Sequence, residues 1–388
     1  MQLVAYGAQD IYLTGNPQIT FFKVVYRRHT NFAMESIEQT FNGTVDFGRK
    51  VSCTVSRNGD LIGKTYLQVA LPALSGTNVA WTRNIGHALI DYVNIEIGGQ
   101  EIDRHYGDWL NIWNELTQTA EHEDGYSVMI GNTSDLTTPA SSVDAATLYV
   151  PLQFWFNRNP GLALPLIALS YHEVKFNISF TAVSSLTVGT VTGTPSIGSC
   201  SLYIDYVYLD TDERRQFAQV QHEYLIEQLQ FTGEESYNNS AIKSKLSLNH
   251  PVKFIAWVFQ LNSNVSANRL ADYTDGSTAY AGGDTVSDAK LQLNGQDRFS
   301  VRDGRYFNVV QPYQHFTRCP ATGIYVYSFA LNPQEHQPSG SVNMSRIDNA
   351  TLLLNLTTGT NPGKLRVYAV NYNVLRIMAG MGGVAYAN

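Results

Sequence analysis

The chain has 388 residues, of which 44% are hydrophobic and only 15% are charged, and this balance excludes an intrinsically disordered protein. At roughly 150 residues per domain, the length predicts two or three domains that each bury a core. The formal net charge of −7 argues against a chain that as a whole grips nucleic acid through a cationic surface.

Residues 1–36 are predicted to form an N-terminal arm, because residues 1–17 show neither the helical nor the strand period. The arm carries a short basic run among apolar side chains: Lys23, Arg27, Arg28 and His29. Such a run is able to contact acidic lipid, nucleic acid or an acidic protein, and a solvated or internally paired patch is an equally good interpretation. The start of the chain lacks the pattern of a secretory signal, so we expect no secretion by that route.

Beyond the arm, apolar and polar residues alternate with a period of two, which is typical of half-buried β-strands. The clearest alternation lies in residues 65–71, 174–180 and 352–356. Cys53 belongs to another apolar row, together with Val51 and Val55, and we therefore interpret it as an inert core thiol rather than a nucleophile. The dominant pattern predicts an all-β fold.

Two stretches interrupt this pattern and are predicted to be helices. Residues 212–228 contain no Gly or Pro and begin with acidic residues, which suit a helix N-terminus. Residues 108–116 place apolar side chains at intervals of three and four: Trp109, Ile112, Trp113 and Leu116. Long polar stretches rich in Gly, Ser, Thr, Asn and Asp are predicted to be surface loops: residues 119–146, 184–199 and 262–288.

An internal repeat is the strongest organising signal in the sequence. Residues 95–101, a strand that leads into a Gly turn, reappear as residues 291–297, and an Arg and a Tyr follow both copies. Further segments match in the same order: 39–43 with 230–233, 154–160 with 328–333, and 203–209 with 366–372. Loops of unequal length inserted into duplicated domains account for the variable spacing between partners.

The repeat divides the chain into an arm, two similar domains, a linker helix and a tail. The predicted ranges are 1–36 for the N-terminal arm, 37–210 for the first domain, 211–226 for the linker helix, 227–376 for the second domain and 377–388 for a Gly-rich C-terminal tail. Each domain holds seven or eight strand candidates, which is the scale of an antiparallel sandwich or a jelly roll.

Motifs that carry catalysis or cofactor binding are absent from the sequence. There is no Walker loop, no G-x-S-x-G elbow, no H-E-x-x-H helix and no G-x-G-x-x-G turn after a strand. No two histidines have the close H-x-H spacing that a metal-binding jelly-roll enzyme would use. The three cysteines, Cys53, Cys200 and Cys319, lie far apart in the sequence. This spacing favours a reducing, intracellular site of synthesis. No apolar run approaches the roughly 18 residues that span a bilayer.

Two arrangements of ligand-type residues have simpler structural explanations. His–Glu dipeptides occur at 122–123, 172–173 and 222–223, but neighbouring residues face different directions and cannot clamp one ion alone. An acidic cluster offers oxygen ligands to a hard cation and consists of Asp205, Asp210, Asp212 and Glu213. Helix N-capping explains the last three of these residues more simply. We therefore predict a protein that is not an enzyme and has no catalytic, cofactor-binding or metal-binding residue.

Residues 12–33, YLTGNPQITFFKVVYRRHTNFA, resemble the N-terminal signature of the major capsid proteins of nucleocytoplasmic large DNA viruses. The resemblance extends over nearly the whole chain and includes further motifs at residues 97–100, 205–214 and 343–348. Motifs of this length and order are far more specific than a single triplet. The resemblance implies an all-β fold of two consecutive eight-stranded antiparallel jelly rolls, a vertical double jelly roll, with short helices in the linker and loops.

The resemblance also implies a structural function. Three chains would form a capsomer of hexagonal outline, and capsomers would tile the icosahedral shell of a large double-stranded DNA virus assembled in the host cytoplasm. Expected partners are the other chains of the homotrimer, neighbouring capsomers, minor capsid and penton proteins, and an inner viral membrane contacted through the arm, without sequence-specific binding of nucleic acid. Loops 119–146 and 262–288 are candidates for the outer tower of the capsomer, and the arm before Thr30 for its inner face.

Two functions from other classes are also compatible with a β-scaffold. A carbohydrate-binding or host-attachment module would use exposed loop aromatics such as Trp81 or Tyr273. A jelly-roll enzyme would require a bound metal.

Overall fold

A computed structural model of the chain describes residues 7–19, 21, 24, 26, 28–357 and 362–387. The strands of the first half are β1 (Phe32–Gln39), β2 (Lys50–Thr54), β3 (Leu61–Leu71), β4 (Leu74–Trp81), β5 (Ile90–Ile97), β6 (Gln100–Tyr106), β7 (Ala140–Val143), β8 (Ala146–Pro151), β9 (Leu164–Pro165), β10 (Val174–Phe180), β11 (Thr187–Val191) and β12 (Cys200–Leu209). Its helices are α1 (Ile11–Thr14), α2 (Ile85–Ala88), α3 (Gly107–Thr117), α4 (Ala120–Met129), α5 (Ser134–Thr137) and α6 (Trp155–Arg158). Short 3₁₀ turns lie at Pro160–Leu162, Leu166–Ala168 and Val183–Ser185.

The second half begins with helix α7 (Thr211–Gln219). Its strands are β13 (His222–Tyr237), β14 (Ala241–Leu246), β15 (Pro251–Leu261), β16 (Val286–Leu293), β17 (Gln296–Asp297), β18 (Arg302–Asp303), β19 (Ile324–Ser328), β20 (Val342–Asn343), β21 (Ala350–Leu356), β22 (Gly363–Met378) and β23 (Met381–Val384). Its other helices are α8 (Asn262–Ser266), a π-helical turn at Tyr306–Val310 that leads directly into α9 (Gln311–His315), and a 3₁₀ turn at Met344–Arg346.

Each half folds into two antiparallel sheets built on four principal strands, and the inner faces of the two sheets pack together. In the first half, barrel 1, the strand orders are β1-β12-β3-β8 and β2-β10-β5-β6, with a smaller sheet β11-β4-β7 beside them. In the second half, barrel 2, the orders are β13-β22-β15-β19 and β14-β21-β16-β17. The principal strands therefore share one topology, and the predicted fold of two consecutive eight-stranded jelly rolls is confirmed.

The core of barrel 1 is built from the alternating positions that the sequence predicts. Leu67, Val69 and Leu71 of β3 point inward against the facing sheet. Cys53 of β2 lies in the same core, and burial raises the pKa of its thiol to about 11. The thiol therefore stays protonated near neutral pH, as an inert core residue would.

Strand β15, in the middle of barrel 2, is buried on both faces. The side chains that enter the core of barrel 2 include Ile255, Trp257 and Phe259, and those that point outward into a separate apolar cluster are Phe254, Ala256 and Val258. Because both faces are apolar, the strand reads in the sequence as a nearly continuous apolar run instead of an alternation. The outer face of this sheet therefore requires a cover.

The predicted helix at 212–228 is correct at its start and wrong at its end. Helix α7 begins after Asp210, whose carboxylate accepts a hydrogen bond from the first backbone N–H of the helix. The helix ends at Gln219, however, and β13 begins at His222, inside the range assigned to the linker helix. Strand β13 pairs with β22 over almost its whole length, and its residue Ile226 enters the core of barrel 1. These tertiary contacts override the local helical spacing.

The three predicted loops contain regular structure that their polar composition concealed. Residues 119–146 include α4, α5 and β7, residues 184–199 include β11, and residues 262–288 begin with α8 and end in β16. Helix α4 has no buried residue and is held by polar contacts instead. The Arg318 guanidinium lies 2.9 Å from the Glu123 carboxylate, and the Tyr126 hydroxyl lies 2.8 Å from His87 Nε2. The prediction of irregular loops was therefore wrong for most of 119–146, whereas residues 267–285 are irregular as predicted.

Both predicted terminal segments overlap with strands. Strand β1 begins at Phe32, within the range 1–36 assigned to the arm. Strand β22 continues to Met378 and forms a hairpin with β23, within the range 377–388 assigned to a Gly-rich tail. This hairpin reaches back to barrel 1, because Ile377 lies in the core of that barrel. Sheet pairing thus outweighs the low strand propensity of the glycines.

Helix α3 starts at a glycine that lies against backbone. A Cβ atom on Gly107 would lie 2.2 Å from the carbonyl oxygens of both His87 and Ile90. We expect Gly107→Ala to lower the free energy of unfolding by about 2 kcal/mol or more, because the backbone has to shift. The matched control is Gly125→Ala in α4, where a Cβ meets nothing within 4 Å and the helix propensity of alanine should add about 1 kcal/mol. Denaturant unfolding measures both variants, and a Gly107→Ala protein as stable as wild type would contradict the close approach.

Candidate assembly interface

Helix α3 of barrel 1 carries an apolar stripe that docks on barrel 2. Its apolar residues recur at intervals of three and four and therefore share one face of the helix: Trp109, Ile112, Trp113 and Leu116. The predicted helix at 108–116 is confirmed by the observed helix Gly107–Thr117. The stripe packs on the outer face of the sheet β13-β22-β15-β19, where it covers Phe254, Val258 and Tyr368.

Aromatic rings dominate this contact. The ring centroid of Trp109 lies 6.1 Å from that of Phe254 and 5.7 Å from that of Tyr368. Trp113 and Phe316 pack against Phe254 at 6.4 and 5.1 Å. Burying one large apolar side chain contributes roughly 1.5–3 kcal/mol relative to its exposure, so several such residues together hold the two barrels firmly.

An ion pair crosses the junction at the first turn of α3. The Asp108 carboxylate of barrel 1 accepts a hydrogen bond from Arg366 Nη1 of barrel 2 at 2.6 Å. The same guanidinium also contacts Glu234 at 2.8 Å and the side-chain oxygen of Gln260 at 2.8 Å. Burial alone would lower the pKa of Arg366, but the neighbouring carboxylates outweigh burial and raise this pKa, so the guanidinium stays charged.

Two tyrosine hydroxyls, those of Tyr273 and Tyr368, also donate hydrogen bonds to Asp108. Burial and the charge of Asp108 raise the pKa of both phenols well above the usual value, so both remain donors. Tyr273 is only 2% exposed, and Trp81 is 1% exposed and stacks with Phe47 in barrel 1. Neither ring is accessible to a sugar, and the hypothesis of a carbohydrate-binding module that uses these two aromatics was wrong.

A second buried charge cluster surrounds Glu227 of β13. Its carboxylate lies 2.7 Å from Lys253 Nζ and 2.8 Å from Arg158 Nη2, and Arg158 belongs to α6 of barrel 1. His336 Nδ1 lies 3.6 Å from the same carboxylate. Burial alone would raise the pKa of Glu227, but its three basic neighbours outweigh burial and lower the pKa to about 2. Lys253 has one carboxylate partner and is repelled by Arg158, so burial dominates there and lowers its pKa.

Hydrogen bonds between side chains and backbone fix the register of the two barrels. Asp103 Oδ1 of barrel 1 accepts a hydrogen bond from the Leu229 backbone N–H of barrel 2 at 3.0 Å. Gln334 Nε2 of barrel 2 donates to the Leu116 carbonyl oxygen at the end of α3 at 3.1 Å. Because backbone groups cannot rotate to a new partner, these bonds specify how α3 lies on the sheet.

The ligand-type residues singled out in the sequence do not come together. Each histidine of the three dipeptides has its own hydrogen-bond partner: Thr119 for His122, Gly382 for His172 and Phe217 for His222. Asp210 caps α7, as predicted, and Asp212 and Glu213 lie in its first turn. Among the described residues, no three His, Cys, Asp or Glu side chains form a possible metal-ligand group.

The basic run of the arm is only partly visible. Lys23 and Arg27 lie outside the described residues, whereas Arg28 and His29 are exposed. Within the described ranges, every helix is too short or too polar to cross a membrane.

Sequence reasoning missed the charged residues of the junction. Glu227 and Arg366 lie in segments whose partners are far away in the chain, so no local spacing marks them. Lys253 is different, because it interrupts the apolar run of β15 at residues 251–261. A lysine in such a run has to find a buried carboxylate, and this signal was available in the sequence.

Comparison with known proteins identifies the family. A family model described as "Major capsid protein N-terminus" matches residues 20–210, and one described as "Large eukaryotic DNA virus major capsid protein" matches residues 213–383. The major capsid protein of Pyramimonas orientalis virus is 56% identical over 413 residues, which cover all of this chain and 99% of that relative. The chain belongs to the major capsid proteins of large eukaryotic DNA viruses. The resemblance seen in the sequence is thereby confirmed.

Solved structures of viral capsid proteins share the fold. PBCV-1 VP54, fitted into a reconstruction of the virophage Sputnik, has a TM-score of 0.84 at 40% identity and covers 95% of this chain and 100% of its own. A chain of the quasi-atomic model of the PBCV-1 virus capsid has a TM-score of 0.83 at 41% identity, with 95% and 100% covered. The chain is a structural component of the viral capsid.

Arg366 and Arg376 lie on the same strand, and each pairs with a carboxylate, which makes them a matched pair for substitution. Arg366→Met leaves Asp108 largely buried without its cation, and we expect a loss of about 3–5 kcal/mol in the free energy of unfolding. Arg376→Met removes an exposed pair with Glu223 and should cost less than about 1 kcal/mol. Denaturant unfolding compares the two, and equal losses would show that the Asp108 pair does not stabilise the junction.

Because of Glu227, the free energy of unfolding should decrease as the pH falls into the acid range. Its pKa falls from the usual 4.5 to about 2 in the folded chain, so its contribution is fully present above pH 4.5 and is lost as the pH falls toward 2. The contribution is on the order of 3 kcal/mol. We expect Glu227→Gln to flatten the decline in urea midpoints across this pH window, whereas Glu223→Gln, at an exposed pair, should retain the wild-type decline. An unchanged slope in Glu227→Gln would refute the assignment.

Proposed function

We propose that three copies of the chain form a pseudo-hexagonal capsomer and that these capsomers tile the icosahedral capsid of a large double-stranded DNA virus. The observation that carries this proposal is that each chain contributes two barrels of one topology, joined firmly through α3. Three such chains place six similar barrels in a ring, so a threefold oligomer fits a hexagonal lattice. The likeness to chains of the PBCV-1 capsid supports the same arrangement.

The N-terminal arm is proposed to act on the inner face of the capsomer. Several of its described apolar side chains are exposed: Ile11, Tyr12, Leu13, Ile19 and Phe21. Together with the basic run, these side chains suit contact with minor capsid proteins or with an inner viral membrane. Residues 119–146 and 262–288 are proposed to form the outer tower, and neighbouring capsomers and penton proteins complete the set of partners.

The remaining parts of the proposal concern chemistry and place. We propose that the chain has no enzymatic activity, no cofactor and no sequence-specific contact with nucleic acid, because its work is done by protein interfaces. Synthesis and assembly are proposed to occur in the host cytoplasm. The division into an arm, two jelly rolls joined by a linker, and a tail is part of the same proposal.

The oligomeric state tests the proposal directly. Native mass spectrometry of the purified protein at micromolar concentration should give three times the chain mass of 43.1 kDa. The unfolding temperature should also rise with protein concentration, because association stabilises the folded state. A protein that stays monomeric at this concentration, even with partner proteins present, would refute the capsomer.

Deletion of residues 1–30 should separate folding from lattice assembly. The arm helix α1 buries none of its residues, and β1 begins only at Phe32, so we expect the truncated protein to keep the unfolding temperature and trimer mass of the full chain. Its assembly into sheets or shells, followed by electron microscopy, should be impaired. A truncated protein that fails to fold would place the arm in the core and overturn this assignment.

A further inference from the structure

The helix that docks barrel 1 on barrel 2 has a structural counterpart in barrel 2. Helical backbone runs from 304 to 315 there, across the π-helical turn and α9. Gly107 begins α3 against the carbonyl oxygen of Ile90, and Gly304 begins the second helix against that of Val286, each with 2.2 Å between a Cβ and the oxygen. Ile90 and Val286 start β5 and β16, which occupy the same place in their sheets. The two helices are therefore equivalent.

The docking stripe of α3 is repeated on the second helix. An offset of 197 positions (304 minus 107) aligns the two glycines, and it also aligns the buried Asn111 with the buried Asn308. The same offset aligns Trp109 with Tyr306, Ile112 with Val309, Trp113 with Val310 and Leu116 with Tyr313. We call Tyr306, Val309, Val310 and Tyr313 the second stripe. In contrast to the buried stripe of α3, its last three members are 46%, 38% and 81% exposed.

The sheet that would receive the second stripe is also open. The sheet β1-β12-β3-β8 of barrel 1 corresponds to the sheet of barrel 2 that α3 covers. Its outer side carries what we call the tyrosine face, formed by Tyr66, Tyr149 and Tyr203. The rings of Tyr66 and Tyr203 stack at 5.2 Å, and that of Tyr149 lies 6.1 Å from Tyr66. Tyrosine is enriched in protein interfaces, because its ring packs while its hydroxyl tolerates water.

Charged residues of both signs surround the two faces: the exposed Asp303 lies among the arginines near the second stripe, and the exposed Lys64 lies two residues before Tyr66 in β3. Three exposed arginines lie near the second stripe in the sequence: Arg298, Arg302 and Arg305. The guanidinium of Arg302 stacks on the ring of Tyr306, a member of the stripe. Acidic residues border the tyrosine face, where Glu38 pairs with Tyr203 across the strands and Asp205 follows on the same strand. Charges at the rim of an interface contribute orientation and association rate more than affinity.

We propose that the second stripe of one chain docks on the tyrosine face of the next chain, as α3 docks on barrel 2 within a chain. This inference rests on the proposed trimeric capsomer and assigns the surfaces that form it. The contact is head-to-tail and alternates with the internal contact around a ring of six barrels. Because each chain supplies two barrels, the ring closes after three chains. The occupant of both faces is a second copy of this chain.

Substitutions on each face test the proposal. Tyr313→Glu and Tyr66→Glu place a charge in the second stripe and in the tyrosine face, and each should weaken trimer formation at least tenfold and give monomers at micromolar concentration. The matched control is Tyr171→Glu, because Tyr171 is 80% exposed against 81% for Tyr313 and lies on neither face. The control should remain trimeric in native mass spectrometry.

A mixture of the two variants tests the head-to-tail geometry. The intact second stripe of Tyr66→Glu is able to dock on the intact tyrosine face of Tyr313→Glu, so heterodimers should form. The ring cannot close, because the remaining faces of the heterodimer both carry the new charge. Recovery of full trimers, or the absence of any heterodimer, would contradict the proposed pairing.

Cys319 provides a second readout without further mutation. It is exposed, and its sulfur lies 3.4 Å from the carbonyl oxygen of Val309 in the second stripe. Its reaction with a maleimide should be at least tenfold slower in the wild-type trimer than in Tyr313→Glu. Burial raises the pKa of the Cys53 thiol to about 11 and that of Cys200 to about 12, so these thiols react slowly and the signal reports Cys319.

The outcomes distinguish a failure of the assigned interface from a failure of the proposed trimer. A monomeric wild-type protein would overturn the proposed capsomer itself. A wild-type trimer that survives both Tyr313→Glu and Tyr66→Glu, with the reactivity of Cys319 unchanged, would overturn the assigned interface while the trimer stands. Circular dichroism verifies that each variant is folded, and if Tyr313→Glu is not, Val309→Asp replaces it with the same expected results.

Discussion

The outer face of the sheet β13-β22-β15-β19 is the constraint on which the rest of the structure depends. An antiparallel sheet commonly keeps one polar face toward water, but β15 is apolar on both, with Phe254 outside and Trp257 inside. An open apolar face of this size would promote association of unrelated molecules. Helix α3 of barrel 1 covers it within the same chain. Barrel 2 therefore depends on barrel 1, and the two barrels form one structural unit.

The buried charges at the junction fix its geometry more than they add stability. Ions that leave water lose hydration, and their mutual attraction offsets only part of that loss. A shift of one barrel against the other would separate Asp108 from Arg366, or Glu227 from Arg158, and leave charges unpaired in a medium of low dielectric constant. Apolar packing tolerates some sliding, whereas such pairs do not. The angle between the barrels is thereby set within the chain, which a lattice of repeating subunits requires.

The sequence predicted features that repeat locally and missed those that depend on distant partners. Alternation at residues 65–71 is visible because one face of that strand meets the core. The range 212–228 has helical spacing throughout, and its second part becomes a strand only because β22 pairs with it. Tyr273 resembles an exposed loop aromatic until its partner Asp108 is known, and the two lie 165 positions apart. Lys253 was recognisable as an exception in an apolar run, but the sequence does not name the carboxylate that it meets.

In the proposed trimer, the two copies of the docking helix serve one permanent contact and one reversible contact. The stripe of α3 is rich in Trp and meets Phe254, and both sides are buried as soon as the chain folds. In the proposed interface its counterpart uses Val309, Val310 and Tyr313 and contacts the tyrosine face, where Tyr149 is exposed in the single chain. A permanent interface is free to resemble a protein core, whereas one that forms between separate chains has to be compatible with water until its partner arrives. The two helices occupy the same position in the fold, but one is buried when the chain folds and the other stays in water until assembly. The backbone topology is the same in both barrels, so the choice of side chains accounts for this difference.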